Sequence, residues 1–144
     1  MGARRVAVTP WKWGWPLAGC ARCTGFMNIS AAQLTDFSGV LLRPGDPAYD
    51  TARRVWNGAI DRQPAFIAQC RGAGEVAAAV RFGVRHGLPI AVRGGGHNVP
   101  GFSVCEGGLM IDLSPMKGIR VDPVVRAAYV EPGVLWRELD SATK

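Results

Sequence analysis

A run of glycines between a cation and an imidazole is the part of this chain best suited to chemistry. Residues 93–101 read RGGGHNVPG, so Arg93 precedes three glycines and His97 follows them. Glycine has no Cβ and therefore adopts positive φ angles and tight turns without strain. Successive backbone N–H groups in such a turn form a concave nest for an anion. The pattern favours a phosphate-bearing cofactor, and a flexible surface turn is the alternative that the glycines alone leave open.

Three common glycine motifs do not match this loop. Val99 stands where the third glycine of a dinucleotide-binding G-x-G-x-x-G would be, and no helical pattern follows directly. No Gly-Lys-Ser/Thr ends the loop, as it would in a Walker A sequence. The residues after Gly101 lack the closing glycine of a nucleophile elbow. What remains is a backbone nest in a loop that joins two strands.

The other residues with reactive side chains have simpler interpretations. Cys20 and Cys23 form a C-x-x-C pair, but no second ligand pair follows for zinc and no strand–helix context supports a redox motif. Cys70 and Cys105 are interpreted as buried or incidental thiols without a catalytic role. His86 falls at the end of a predicted helix, which favours a helix-end role over that of a ligand. We therefore predict no metal site.

Composition indicates one ordinary globular domain behind a basic leader. The chain has 144 residues and a net charge of +6, of which residues 1–26 contribute four basic residues and no acid. The other residues hold 13 basic and 11 acidic side chains. Because the basicity belongs to the leader, we predict no nucleic-acid partner. No apolar run approaches the ~20 residues of a membrane span, so we predict no membrane partner either.

The leader itself, residues 1–26, mixes tryptophan, glycine, proline and arginine without a helical or strand period. We expect it to be disordered, or to precede a true start at Met27. Arg4 and Arg5 could open a secretory signal, but residues 11–16 interrupt the apolar region that such a signal needs. We predict a cytoplasmic location, with secretion left open.

The elements that must position the loop follow from hydrophobic periodicity. Residues 27–63 are expected to be an N-terminal helical segment, weakly helical or irregular at first and turn-rich over 41–47. Its helix is predicted over 47–57, with Asp46 as the cap and Trp56 on the apolar face.

A strand over 64–70 and a helix over 75–86 come next. Val76, Val80 and Val84 form the predicted apolar stripe of that helix. A second strand, residues 88–92, leads into the glycine loop.

Beyond the loop, strands are predicted over 108–113, 117–122 and 127–131, the last two as a hairpin, and a helix over 134–143. Leu109, Ile111 and Leu113 alternate onto one face of the first of these strands. The order predicts an α+β fold, a small mixed sheet flanked by helices, with a parallel first pair of strands followed by a meander. Because the chain stops inside the last helical pattern, we expect a truncated domain over 64–144.

The loop and three flanking segments closely resemble a known family. The segments are residues 107–114, which read GGLMIDLS, residues 130–133, which read VEPG, and residues 53–57, which read RRVWN. From about residue 40 onward the chain resembles the FAD-linked oxidases, which have the PCMH-type FAD-binding domain of the vanillyl-alcohol oxidase family. It is most similar to their berberine-bridge-enzyme-like branch.

The resemblance implies FAD as the cofactor, with its pyrophosphate wrapped by the amides of the glycine loop. It implies that His97 bonds covalently to the flavin 8α-methyl, or lies beside it as a hydrogen-bonding residue. Arg93 would pair with phosphate charge or remain a solvated loop arginine. The cofactor-binding residues so implied are Arg93, Gly94, Gly95, Gly96, His97, Asn98, Gly101, Asp112 and Leu113. No catalytic residue is expected in this part of such an enzyme.

The function implied by the resemblance is part of a flavin oxidoreductase that passes a hydride from an alcohol, sugar or amine to FAD. Dioxygen would be the electron acceptor, and a small molecule the substrate of the full-length enzyme. Two alternatives stay open: an inactive truncated fragment and a generic nucleotide- or phosphate-binding module.

Overall fold

The computed structural model describes residue 29 and residues 34–144, and the predictions for residues 1–26 and for Met27 lie outside it. The elements in chain order are β1 (Val40–Leu42), α1 (Tyr49–Ala52), β2 (Phe66–Gln69), α2 (Ala73–Arg85), β3 (Ile90–Arg93), β4 (Leu109–Asp112), β5 (Ile119–Asp122), β6 (Ala127–Val130) and α3 (Trp136–Ala142). The predicted α+β class, a small mixed sheet flanked by helices, is confirmed.

The main sheet has four strands in the order β1-β2-β4-β3. β4 pairs in parallel with both β2 and β3, while β1 pairs antiparallel with β2. β2 and β3 run parallel as predicted, but they do not pair with each other because β4 lies between them, and β4 does not continue into a meander with β5 and β6. All four residues of β4 are buried, and a strand with no exposed face belongs at the centre of a sheet that is covered on both sides.

The last two strands form a separate antiparallel sheet, and the predicted hairpin is confirmed. Ile119 lies opposite Val130 and Asp122 opposite Ala127. Arg126 adopts a φ of 54° in the turn between the strands. The final helix also agrees with its prediction, since α3 lacks only the outermost residues of the range 134–143.

Two apolar clusters cover the two faces of the main sheet. Phe66, Ala68, Leu109 and Ile111 point to the side covered by α2, where they pack with its buried residues. On the opposite face, a second cluster joins α1 and the loops to the sheet; its buried members are Leu42, Tyr49, Ala52, Ile67, Val104 and Met110. Alternate residues of a strand face opposite sides, and the predicted common face of Leu109, Ile111 and the half-buried Leu113 is confirmed.

The apolar stripe predicted for α2 is confirmed only at Val76, which is half-buried and packs against the core. Val80 is 38% and Val84 70% exposed, whereas the residues buried against the sheet are Ala78, Ala79, Phe82 and Gly83. The helix lies so close to the sheet that a Cβ on Gly83 would come within 2.7 Å of Ile90 Cδ1. Small side chains permit this approach, and Val80 and Val84 lie on the outer side of the helix.

The N-terminal segment is less helical than predicted. Among residues 34–63 the structure has strand β1, where irregular or turn structure was expected, and only four residues of helix in α1. Asp46 does not cap α1; its Oδ2 accepts a hydrogen bond from Arg43 N at 2.7 Å. Trp56 lies beyond the helix and is 67% exposed. Pairing with the edge of β2 overrides the weak local signal of residues 40–42.

Candidate functional site

The glycine loop leaves the sheet at the carboxyl ends of three parallel strands. In the register of the sheet, Asp112 of β4 lies between Gln69 of β2 and Arg93 of β3. Ligands of parallel α/β sheets bind outside this edge, because the loops that diverge there leave a crevice. The loop that begins after Arg93 therefore lies where the fold provides room for a cofactor.

Asp112 is a buried carboxylate, 1% exposed, that ties the strand ends together. Its Oδ2 accepts a hydrogen bond from Gln69 Nε2 at 3.1 Å, and its Oδ1 accepts one from Ser114 N at 3.0 Å. Arg93 Nη1 lies 4.0 Å from the same Oδ2. A buried charge requires such partners, so Asp112, predicted to bind the cofactor, lies under the site and holds its frame.

Arg93 lies beneath the glycine loop and is not the solvated loop arginine that was one of its two interpretations. Its side chain is 19% exposed, and Nη1 donates to the carbonyl of Ala52. Nε is buried and has no hydrogen-bond partner among the described residues. A Cβ on Gly96 would lie 3.4 Å from this Nε. A buried donor without an acceptor is rare in proteins and suits a ligand oxygen.

The backbone of the loop presents a run of free donors. Within the described residues, none of the N–H groups from Gly94 through Val99 donates to a protein acceptor. Gly96 adopts a φ of 74°, which reverses the direction of the backbone inside this run. Successive unpaired N–H groups in such a turn are the chemical requirement of an anion nest. The loop therefore fits the phosphate groups of a dinucleotide cofactor.

A segment before β2 holds the loop in this shape, and the sequence-based site did not include it. Trp56 N donates to Gly96 O at 3.0 Å, and Asn57 Nδ2 donates to Val99 O at 2.9 Å. Gly101 has a φ of 79°, and a Cβ there would come within 2.8 Å of Ile60. Only the segment 53–57 of the family resemblance pointed to this region, and it gave no partner for the loop.

His97 is exposed, and its ring lies against that of Trp56, with the ring centroids 5.9 Å apart. The neighbouring Asn98 is occupied within the loop: its Oδ1 accepts from Phe102 N at 2.8 Å and its carbonyl from Gly101 N at 3.1 Å. Leu113 is half-buried and donates its N–H to Arg93 O at 2.8 Å. Of the predicted residues, Gly95, His97 and Asn98 are exposed, whereas Gly96, Gly101 and Asp112 are buried beneath them.

The turn at Pro132 and Gly133 touches the site from the other side. A Cβ on Gly94 would lie 2.7 Å from Pro132 O, and one on Gly133 would lie 2.3 Å from Leu113 O. Both positions thus require glycine because another backbone passes there. The structure brings three distant segments of the chain together around the loop.

Neither thiol in the described residues shows signs of activation. Cys70 is fully buried, and burial raises its pKa to about 11. Burial also raises the pKa of the Cys105 thiol, whose Sγ lies 3.6 Å from Pro89 O. A raised pKa leaves the thiol protonated and unreactive near neutral pH. Cys20 and Cys23 lie outside the described residues.

Other features of the described residues lie away from the loop. No group of three metal-ligating side chains occurs among them, and none of their helices is long and apolar enough to cross a membrane. An open groove of about 340 Å³ lies on the β5–β6 hairpin, lined by residues including Arg120 and Tyr129.

Comparison with known proteins identifies the class. The model of the family described as FAD binding domain matches residues 64–144, more than half of the chain. The chain belongs to this FAD binding domain family, which confirms both the resemblance and FAD as the cofactor. The match begins just before β2, so Trp56 and Asn57 precede it.

The relatives are flavoenzymes of much greater length. The chain is 34% identical over 113 residues to (R)-6-hydroxynicotine oxidase of Paenarthrobacter nicotinovorans, covering 78% of this chain and 25% of the relative. The crystal structure of 6-hydroxy-D-nicotine oxidase from Arthrobacter nicotinovorans superposes with a TM-score of 0.75 over 79% of this chain and 25% of that one. For the berberine-bridge-enzyme-like protein 1 of Physcomitrella patens the TM-score is 0.65 at 26% identity, over 69% and 22% of the two chains.

The chain thus spans about a quarter of the length of the relatives that it matches. The shared part contains the glycine loop and the sheet edge that it leaves. The curated relatives that this part matches bear the names of FAD-linked oxidases and oxidoreductases.

Proposed function

We propose that residues 34–144 form the pyrophosphate-binding part of the FAD site of a flavin-dependent oxidoreductase. The observation that carries the proposal is the run of N–H groups from Gly94 through Val99, which together with Nε of Arg93 have no acceptor among residues 34–144. Two linked phosphates need several donors that converge on one place, and a pre-formed backbone nest supplies them without ordering side chains.

Each residue has a distinct part in this proposal. The N–H groups of the glycine loop bind phosphate oxygens, and Arg93 Nε adds a charged donor from below. Asp112 and Gln69 keep the strand ends in register, so that the loop starts from a rigid edge. When bound, FAD supplies the hydride acceptor for oxidation of an alcohol, sugar or amine, with dioxygen as the final electron acceptor.

We also propose that His97 tethers the cofactor. Its exposed imidazole would form an N–C bond with the 8α-methyl carbon of the flavin, each partner losing one hydrogen. The two electrons and two protons released would leave as hydrogen peroxide once dioxygen accepts them. The ring is suited to this role because neither of its nitrogens is hydrogen-bonded to the described residues and its face is held by Trp56.

The test is to express the 144-residue chain, add FAD, and measure affinity by quenching of flavin fluorescence with ADP as a competitor. Micromolar FAD binding that ADP displaces only weakly supports a flavin site. Equal competition by ADP favours a generic nucleotide module, and no binding by a soluble, folded chain favours the inactive fragment.

The tether has its own readout. After denaturation, flavin should remain attached to the wild-type chain and to the control His86→Ala, which alters the chain's other histidine, at the end of α2. It should be lost from His97→Ala. Flavin that stays attached to denatured His97→Ala would show that another residue forms the bond.

A further inference from the structure

Two exposed rings meet at the glycine loop. The Trp56 side chain is 67% exposed, and its ring lies 5.9 Å from that of His97 at an interplanar angle of 33°. Aromatic side chains stabilise a fold mainly through the area they bury. Trp56 buries little, so packing in the core does not explain where it lies.

Backbone contacts place these two rings together. Trp56 N donates to the carbonyl of Gly96, the residue before His97. Asn57 Nδ2 donates to the carbonyl of Val99, two residues after it. The two hydrogen bonds bracket His97, so the segment of Trp56 and Asn57 and the loop move as one unit. The tryptophan ring therefore has a defined position relative to the imidazole.

We propose that Trp56 is a positioning residue for His97, holding the imidazole in one orientation at the outer side of the glycine loop. An exposed histidine on a glycine-rich turn samples several rotamers, and only some of them present a ring nitrogen to a bound ligand. Contact with a neighbouring aromatic face favours one of them. Holding a reactive group in its productive orientation raises its effective concentration. The inference rests on the proposed flavin site and extends it to a residue outside the matched domain.

In this proposal the Trp56 side chain orients His97 and does not stabilise the fold. Its geometry allows an effect on orientation to be separated from an effect on stability. The hydrogen bond to Gly96 uses the backbone N–H, which every substitution except proline retains. Removing a side chain that is 67% exposed leaves no cavity in the core. The variant Trp56→Ala should therefore keep the loop and lose only the ring contact.

The first test needs no cofactor. The chain has two histidines, so proton NMR of the full chain shows two sets of imidazole signals, and His97→Ala assigns them. Trp56→Ala should move the His97 signals, because the ring current of the indole is lost, and leave those of His86 in place. Trp56→Phe should restore most of the shift. Tyr129→Ala, which removes an exposed aromatic from the separate hairpin sheet, is the matched control and should move neither.

The second test measures covalent attachment of FAD over time. Loss of one aromatic contact should slow attachment on the order of two- to tenfold in Trp56→Ala, and Trp56→Phe should recover most of the rate. In the His97→Ala background, Trp56→Ala should leave the affinity for non-covalent FAD unchanged. A fall in that affinity would mean that Trp56 contacts the cofactor directly, which overturns a role through His97.

Failure of this inference can be distinguished from failure of the flavin site. His97 signals that do not respond to Trp56→Ala overturn the inference whether or not FAD binds. Responsive signals in a chain that binds no FAD support the positioning contact and reject the proposed function.

Discussion

The main sheet and the C-terminal hairpin are built in opposite ways. In the sheet region, residues 34–116, Ile67, Leu109, Met110 and Ile111 are all 0% exposed and both sheet faces are covered. In the hairpin region, residues 117–144, strands β5 and β6 and helix α3 contain no buried residue. Val130 and Tyr129 remain 42% and 55% exposed there. One region has a hydrophobic core, whereas the other is joined by backbone pairing, the ion pair of Lys117 with Glu138 and the cation–π contact of Arg120 with Tyr129.

This difference indicates which region stabilises the fold and which region fixes the shape of the glycine loop. Burial of apolar area is the main favourable contribution to folding, so the sheet region should set the free energy of unfolding. The glycine loop begins at the edge of that region, which explains how a loop made of flexible residues keeps a defined shape. The hairpin region reaches the site at Pro132, Gly133 and Leu135.

The largest effect should come from Phe82, which is 2% exposed and packs edge-on against Phe66 with ring centroids 5.7 Å apart. Phe82→Ala should lower the free energy of unfolding by about 3–5 kcal/mol, since a cavity remains between α2 and the sheet. Urea denaturation followed by circular dichroism measures it. Phe102→Ala is the matched control: that side chain is 71% exposed, and its removal should change stability by less than about 0.5 kcal/mol. Similar losses in both variants would mean that the sheet core does not dominate.

A smaller loss of stability should follow from a substitution at Gly133, where the hairpin region contacts the sheet region. A Cβ at position 133 would lie 2.3 Å from Leu113 O and 2.6 Å from Met116 O, and backbone atoms cannot swing aside as a side chain can. Gly133→Ala should therefore cost about 1–3 kcal/mol and weaken FAD binding, because the turn beside Gly94 moves.

Gly74→Ala should change the stability in the opposite direction. It lies in α2 with nothing within 4 Å of the added Cβ, and it should stabilise the chain by about 0.4–1 kcal/mol. Thermal melts of the two variants separate these effects. A neutral Gly133→Ala would show that the hairpin region is not pressed against the sheet as described.

The smallest effect concerns acid. Hydrogen bonds from Ser38 Oγ and Arg71 N, both 2.7 Å long, hold the pKa of Glu75 below its ordinary value. A lowered pKa adds stability above the unfolded value of about 4.3, and that stability is lost as the pH falls through the folded value. In Glu75→Gln the free energy of unfolding of the sheet region should therefore fall less as the pH is lowered. The difference should be about 0.5 kcal/mol or less, because the hydrogen bonds of Glu75 are exposed.

Glu138 gives the comparison in the hairpin region. Its pKa is also lowered, by a hydrogen bond from Leu135 N and by Lys117. Glu138→Gln should change the fraying of α3 with pH, seen in the helical signal, and leave the unfolding midpoint of the sheet region as it was. A shift of that midpoint would show that the two regions unfold as one unit.

Much of the site could be predicted from local sequence, because the residue types themselves restrict the backbone. Three glycines and the Pro132–Gly133 turn can take conformations that other residues resist, and alternating apolar residues identified β4 and the hairpin. The prediction of the buried face of α2 failed at Val80 and Val84, because the close approach of the helix to Ile90 favours small residues on that face. Hydrophobic periodicity along one helix does not show which residue of another element will pack against it.

The sequence by itself therefore determined the glycine loop, the position of His97 beside it and, through its resemblance, the cofactor. Only the tertiary structure decided that β4 lies between β2 and β3, that Arg93 lies under the loop, and that Trp56 lies against His97. The contacts responsible join residues about forty positions apart, as Arg93 to Ala52 and Asn57 to Val99 do. Such pairs form only once the pairing order of the buried strands is set. That order depends on packing of the whole core rather than on any local pattern.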